Sequence, residues 1–252
     1  MRKAILFLAI AALFIPSLAL ADEFQVAVAS NFTAPAEQIA AEFEKDTGHK
    51  AVLAFGATGA FYAQIKNGSP VDILLAADSK TPQQLEEDGL AKPASRYTYA
   101  QGALVLWSAT EGYVDDQGQV LKTGDYQHLA VADPARAPYG AAAYELLRAW
   151  NLLDGLESAS KLVTGENIGQ TVQFVETGNA ELGLVALSQV WKDGAFTKGS
   201  GWLVTPSLYS PILQDVVILK KAEDNLAVQA FADYLRSAKA KEIILSYGYT
   251  LK

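Results

Sequence analysis

The feature that most constrains this chain is a grammar repeated along its length. A short run of aliphatic residues gives way to a turn of small or polar residues, and then to a segment with apolar residues at helical spacing. Residues 24–29 read as a strand, Ser30-Asn31-Phe32-Thr33 as the turn, and 34–46 as a helix striped by Ile39 and Phe43. Residues 50–55 then form a second strand, and Gly56-Ala57-Thr58-Gly59 opens a helix holding Phe61 and Ile65. Residues 71–76 make a third, buried strand, with Ser79-Lys80-Thr81-Pro82 starting a helix that stops near Gly89. Further strands are predicted over 102–108, 129–134, 182–187 and 216–219. Helices are predicted from Pro138-Tyr139-Gly140 through Leu153, after Glu166-Asn167-Ile168-Gly169 up to Gly178, and after a cap at Asn225. Such alternation specifies an α/β fold with parallel sheet. Some eight strands are too many for one sheet of ordinary size, so two lobes are expected, with ligands beyond the carboxyl ends of the strands.

Composition narrows the function. At 252 residues and 50 % hydrophobic, the chain has room for two cores. It has no cysteine, which excludes disulfides, thiolate metal sites, iron–sulfur clusters and a cysteine nucleophile. Its two histidines, His49 and His128, offer little to zinc and read as surface residues. The net charge is −8 and Lys and Arg are nowhere clustered, which argues against nucleic acid as a partner. At the start, Arg2-Lys3, an apolar run to Ile15 and Ala19-Leu20-Ala21 read as a secretory signal peptide over 1–21, too short for a membrane span. Its removal takes away two positive charges and leaves an exported, still more acidic chain with no other stretch of transmembrane length.

Four helix openings are candidate ligand contacts: Ser30-Asn31, Thr58-Gly59, Pro138-Tyr139-Gly140 and Asn167-Ile168-Gly169. The first turn of a helix presents unpaired N–H groups and a partial positive charge, and Ser, Thr and Asn add neutral donors, so each is a seat for an anion as well as an ordinary cap. These openings supply no Lys, Arg, His or carboxylate of their own, and Gly56-Ala57-Thr58-Gly59 lacks the Gly-Lys-Ser/Thr of a P-loop. Asp72, Asp78 and Asp133 at strand ends read as caps or as partners of Lys80 and Arg136 rather than as an acid–base pair. Trp107, Trp150, Trp191 and Trp202 are spread at core-like positions, which supports a carbohydrate platform only weakly.

Taken in order, these junctions resemble the periplasmic molybdate-binding proteins of bacterial ABC importers, members of the type II periplasmic binding proteins, over essentially the whole exported chain. The residues that carry the resemblance are the runs from Val28 to Thr33, Phe55 to Gly59 with Gln64-Ile65, and Gly68 to Asp78. To these add Leu129 to Pro134 with Pro138-Tyr139-Gly140, Glu166-Asn167-Ile168, Leu182 to Val185, and Ala240 to Tyr249. The resemblance implies two lobes, each a mixed, mostly parallel sheet flanked by helices, with lobe one near 22–100 plus 210–252 and lobe two near 101–209. It further implies an oxyanion, molybdate or tungstate, held in the interlobe cleft by Ser30, Asn31, Thr58 and the backbone N–H groups of Tyr139 and Ile168. No catalytic residue, no cofactor and no direct ligand to the molybdenum is expected, and the partner would be a membrane permease docking on a monomer. Some members have a tyrosine hydroxyl donor where this chain has Ala186, and Asn31 is expected to replace it. The alternatives are another tetrahedral oxyanion such as sulfate or thiosulfate, or an enzyme on the same fold. Thr58→Val is expected to weaken molybdate binding about tenfold or more with stability nearly unchanged.

Overall fold

The computed structural model describes residues 22–252, so the signal-peptide reading of 1–21 lies outside the described residues. The first sheet begins with β1 (Glu23–Ala29), which leads through a 3-10 turn over Ser30–Phe32 into α1 (Thr33–Thr47). β2 (Lys50–Gly56), α2 (Thr58–Lys66), β3 (Ile73–Leu75), α3 (Lys80–Glu87) and β4 (Tyr97–Gly102) follow. β5 (Leu104–Ser108) starts the second sheet, with α4 (Gln119–Thr123), β6 (Leu129–Ala132), α5 (Pro138–Ala149), α6 (Leu153–Ser158), β7 (Leu162–Gly165) and α7 (Ile168–Glu176). Next come β8 (Leu182–Ala186), α8 (Leu187–Val190), a two-rung hairpin of β9 (Trp191–Lys192) and β10 (Ala195–Phe196), and β11 (Ser200–Leu203). β12 (Ile212–Ile218), α9 (Leu226–Tyr234) and α10 (Ala238–Ser246) close the chain against the first sheet.

The strand orders are β2-β1-β3-β12-β4 and β11-β5-β8-β6-β7. Both sheets are mixed: β1 pairs in parallel with β2 and β3, and β6 with β7 and β8, while β12 runs antiparallel to β3 and β4, and β5 to β8 and β11. Parallel ladders therefore make up half of each sheet, a smaller share than the sequence suggests. A returning strand has the same apolar signature as a parallel one, and its direction is not written in it.

Three local expectations change. The strand foreseen at 102–108 begins at Leu104, because the chain leaves the first sheet at Gly102 and enters the second one residue after Ala103. The helix foreseen through Leu153 stops at Ala149, where Asn151 turns to a φ of 56° before α6. β7 and β11, at the two edges of the second sheet, lack a long apolar run and are not legible in the sequence.

Each sheet has its own core. In the first, Phe24, Phe43 and Phe231 interlock edge to face at 5.1–6.1 Å between centroids, joining β1 to α1 and α9. In the second, Leu104, Leu106, Val131, Leu182 and Leu184 pack against Leu146 and Leu147 of α5. Burying each such side chain contributes about 1.5–3 kcal/mol.

Register is what assembles the site. Pairing of Ala29 with Gly56 brings the turns after β1 and β2 side by side, and pairing of Val28 with Leu75 adds the turn after β3. In the second sheet Ala132 pairs with Gly165, so the openings of α5 and α7 also emerge together.

Candidate functional site

Ser30, Asn31, Thr58, Tyr139 and Ile168, separated by up to 138 positions, line one small pocket. The remaining lining is Ala29, Gly56, Ala57, Ala77, Ala137 and Pro138, so no charged side chain among the described residues lines it. The two halves meet around it. Gly59 N–H donates to Arg136 O at 2.9 Å, Ser188 Oγ donates to Asn31 O at 2.7 Å, and a methyl group at Gly169 would lie 3.3 Å from Ser30 Cβ. A wider cleft lies against this pocket, sharing Ala77, Ala137 and Pro138 with it, and bears the charged groups Asp78, Lys80, Arg136 and Glu145.

Each polar group arrives for a local reason. Thr58 is the first residue of α2 and 1 % exposed, and its Oγ1 accepts the Ala77 N–H at 3.0 Å, which leaves the hydroxyl hydrogen for a ligand. That bond corrects the expectation that Thr58→Val would leave stability nearly unchanged, because the buried Ala77 N–H would lose its acceptor. Ser30 Oγ donates to Gly56 O at 3.0 Å across the β1–β2 ends. Tyr139 stands second in α5 behind Pro138, so its N–H is free of helical bonding while its ring fills the core of the second sheet. Burial holds the Tyr139 phenol well above its ordinary pKa, so no charge arises there near neutral pH. Ile168 is the first residue of α7, capped by Asn167, whose side chain accepts the Gln170 N–H. Here the reading of Asn167 as a helix cap holds, and Ile168 is the residue that reaches the pocket.

Asn31 carries more than its sequence position suggests. It is 2 % exposed, and its Nδ2 donates to Gln214 Oε1 and to Tyr249 Oη, each at 2.8 Å. Ala186 is fully buried at the end of β8 and does not line the pocket, whereas Ser188, two residues on, bonds the Asn31 carbonyl. Gln214 and Ser188 were missed from the sequence, and Tyr249 entered only as part of a run, because no local pattern links positions 31, 188, 214 and 249.

The other candidates resolve as structure. Asp78 caps α3 through Thr81 N at 2.7 Å, with burial raising its pKa. Asp133 pairs with Arg136 at 3.4 Å, and Asp72 pairs with Lys221 at 2.9 Å rather than with Lys80. His49 Nδ1 accepts the Asp22 N–H, and His128 is exposed. Trp150 and Trp202 stack at 5.1 Å, with Trp202 buried in the second core, so the pair is packing rather than a sugar platform. No cluster of His, Cys, Asp or Glu fit to hold a metal ion occurs among the described residues, and none of their helices is long and apolar enough to cross a membrane.

Two mixed sheets whose helix openings converge on one neutral pocket at their junction define a two-lobed solute-binding protein of the type II periplasmic class. The model of a family described as bacterial extracellular solute-binding protein matches residues 24–250, and the molybdate-binding protein ModA of Azotobacter vinelandii is 58 % identical over 92 % of this chain and 91 % of its own. The chain belongs to the ModA family of these solute-binding proteins. ModA of Rhodobacter capsulatus is 49 % identical, covering 92 % of this chain and 89 % of its own. Among solved structures, a periplasmic molybdate-binding protein of Azotobacter vinelandii superposes with a TM-score of 0.88 at 40 % identity, over 91 % of this chain and 99 % of that one. These relatives are binding proteins.

Proposed function

We propose that this protein binds molybdate and tungstate in the periplasm and hands the anion to the permease of an ABC importer, without catalysing a reaction. The observation that carries this reading is a small pocket lined, among the described residues, only by neutral groups at helix openings from both sheets. Molybdate and tungstate are fully deprotonated at neutral pH, so their site needs donors and no acceptor. Hydrogen bonds to a charged group contribute about 1.5–3 kcal/mol each, and about five to seven of them offset a large dehydration cost. The donors are the hydroxyls of Ser30 and Thr58, the amide of Asn31 and the N–H groups of Tyr139 and Ile168. The Ser30 hydroxyl turns from Gly56 O to the anion, and the Thr58 hydroxyl already has its hydrogen to give. Lobe one comprises about 22–100 and 210–252 and lobe two 101–209, closing by a hinge at the crossovers. The closed monomer is the form that docks. Sulfate has the same shape and charge with shorter bonds, so cavity size rejects it.

Calorimetry with molybdate, tungstate, sulfate, phosphate and chromate tests the assignment. Molybdate and tungstate are expected to bind with similar affinities and sulfate far more weakly. Absence of heat with every oxyanion, in protein stripped of ligand by unfolding and refolding, overturns it. A second expected result concerns Thr58. Thr58→Ser keeps the donor and the acceptor for Ala77, and binding stays within about twofold. Thr58→Val weakens molybdate binding about tenfold or more and also lowers stability by about 1–3 kcal/mol, read by urea unfolding. Unchanged affinity in Thr58→Val would reduce Thr58 to a structural residue.

A further inference from the structure

Asn31 sits where two hydrogen-bond systems meet. One is the pocket it lines. The other is a buried cluster behind it, formed by Gln214 on β12, Tyr249 beyond α10 and Ser188 on α8, none of which lines the pocket. Both hydrogens of Asn31 Nδ2 are committed to that cluster, and Asn31 Oδ1 is left buried with no partner. Tyr139 Oη lies buried beside Tyr249. A group aimed at a fully deprotonated anion must donate, and an unpaired acceptor there is both repulsive to the ligand and desolvated without compensation.

One rearrangement gives the unpaired Asn31 oxygen its partners. When the Asn31 amide turns over, Oδ1 accepts from Tyr249 Oη and, with Gln214 turning alongside it, from Gln214 Nε2. Nδ2 then has its hydrogens for the anion. Gln214 gives up a 3.2 Å bond to Ile212 O, and Tyr249 Oη gives up its donation to Asn31 O or Ser188 Oγ at 2.9 Å, while Asn31 O keeps Ser188 Oγ as its donor. The Tyr139 hydroxyl lies close to Tyr249 and near the Gln214 amide at Gly102, and it donates to whichever oxygen now faces it. Ser188 stays bonded to the Asn31 carbonyl, so the amide turns about a fixed backbone.

We propose that Gln214 and Tyr249 are positioning residues for the oxyanion: they grip the Asn31 amide from behind the pocket and turn with it, so that Oδ1 accepts from them and Nδ2 donates to the anion. This inference rests on the binding function proposed above. It is tested by a double-mutant cycle in calorimetry with molybdate. Tyr249→Phe removes the hydroxyl that must donate to the turned amide, and is expected to raise the dissociation constant about tenfold. In an Asn31→Ala background the same change is expected to have less than a twofold effect, which a general loss of packing would not produce. An equal loss in both backgrounds, or less than a twofold effect in the wild type, overturns the proposal. If the wild-type protein binds no oxyanion, the assignment of function fails instead. Should Tyr249→Phe not fold, a neutron structure of the molybdate-bound protein, which shows the amide hydrogens, decides. Gln214 Nε2 facing Asn31 Oδ1 supports the turn, and Gln214 Oε1 still accepting from Asn31 Nδ2 rules it out.

Discussion

Asn31→Asp is expected to lower molybdate affinity at pH 7.5 by at least about a thousandfold, the largest effect of any single substitution at the pocket. The side chain keeps its shape but exchanges its only donor for a carboxylate oxygen beside a dianion. Two unit charges at about 4 Å repel by about 4 kcal/mol at an effective dielectric constant of 20, and the ligand carries two. Thousandfold weakening corresponds to about 4 kcal/mol, so this lower bound does not rely on the lost hydrogen bond. The fold survives, because Tyr249 Oη can donate to the new oxygen and Gln214 can present Nε2 instead of Oε1. The effect should depend on pH in a definite direction. Burial and the dianion both raise the pKa of the introduced carboxyl, and the protonated form binds the anion better. Affinity should therefore recover as pH falls through that raised pKa, by up to about tenfold per pH unit, while the wild type shows no such recovery. Calorimetry across pH 5–8 reads this directly, and pH-independent weakening would remove Asn31 from contact with the anion.

Gly140→Ala has the second largest expected effect, this time on stability. A methyl group there would lie 2.4 Å from Ala132 O and 2.8 Å from its carbonyl carbon, backbone atoms at the end of β6 that cannot step aside as a side-chain tip would. The first turn of α5 must move off the sheet, and overpacking of this kind costs about 1–3 kcal/mol. At about 2–4 °C per kcal/mol for a chain of this size, the midpoint falls by about 2–12 °C. Because Tyr139 precedes it, the same shift moves a backbone donor out of the pocket, so affinity and stability fall together. Gly155→Ala in α6 meets nothing within 4 Å and serves as the control, with a midpoint unchanged or slightly raised. A Gly140→Ala protein that melts with the wild type would mean that α5 does not need this close approach.

Much of the site is legible because its parts are local. Strand, polar turn and helix are written within a dozen residues each, so Ser30-Asn31, Thr58, Pro138-Tyr139 and Asn167-Ile168 stand out as helix openings. Net charge carries no information about the lining: the chain is acidic by eight charges, yet none of the charged side chains among the described residues lines the pocket. Three edge strands and the split at Gly102 escape such a reading, since β4, β7 and β11 are only half covered, and a chain crossing between sheets keeps its apolar character throughout.

By itself the sequence determined the α/β class, the helix openings with neutral donors, the absence of thiol chemistry and the resemblance to an oxyanion carrier, all of them properties of residues near one another in the chain. Only the tertiary structure decided the mixed sheets, the meeting of those openings in one pocket and the bonds that now occupy the Asn31 amide. The physical reason is range. Capping and hydrophobic periodicity act over a few residues, whereas the partners of Asn31 lie 183 and 218 positions away and are brought to it by a strand that crosses back between the sheets and by the chain's final turn.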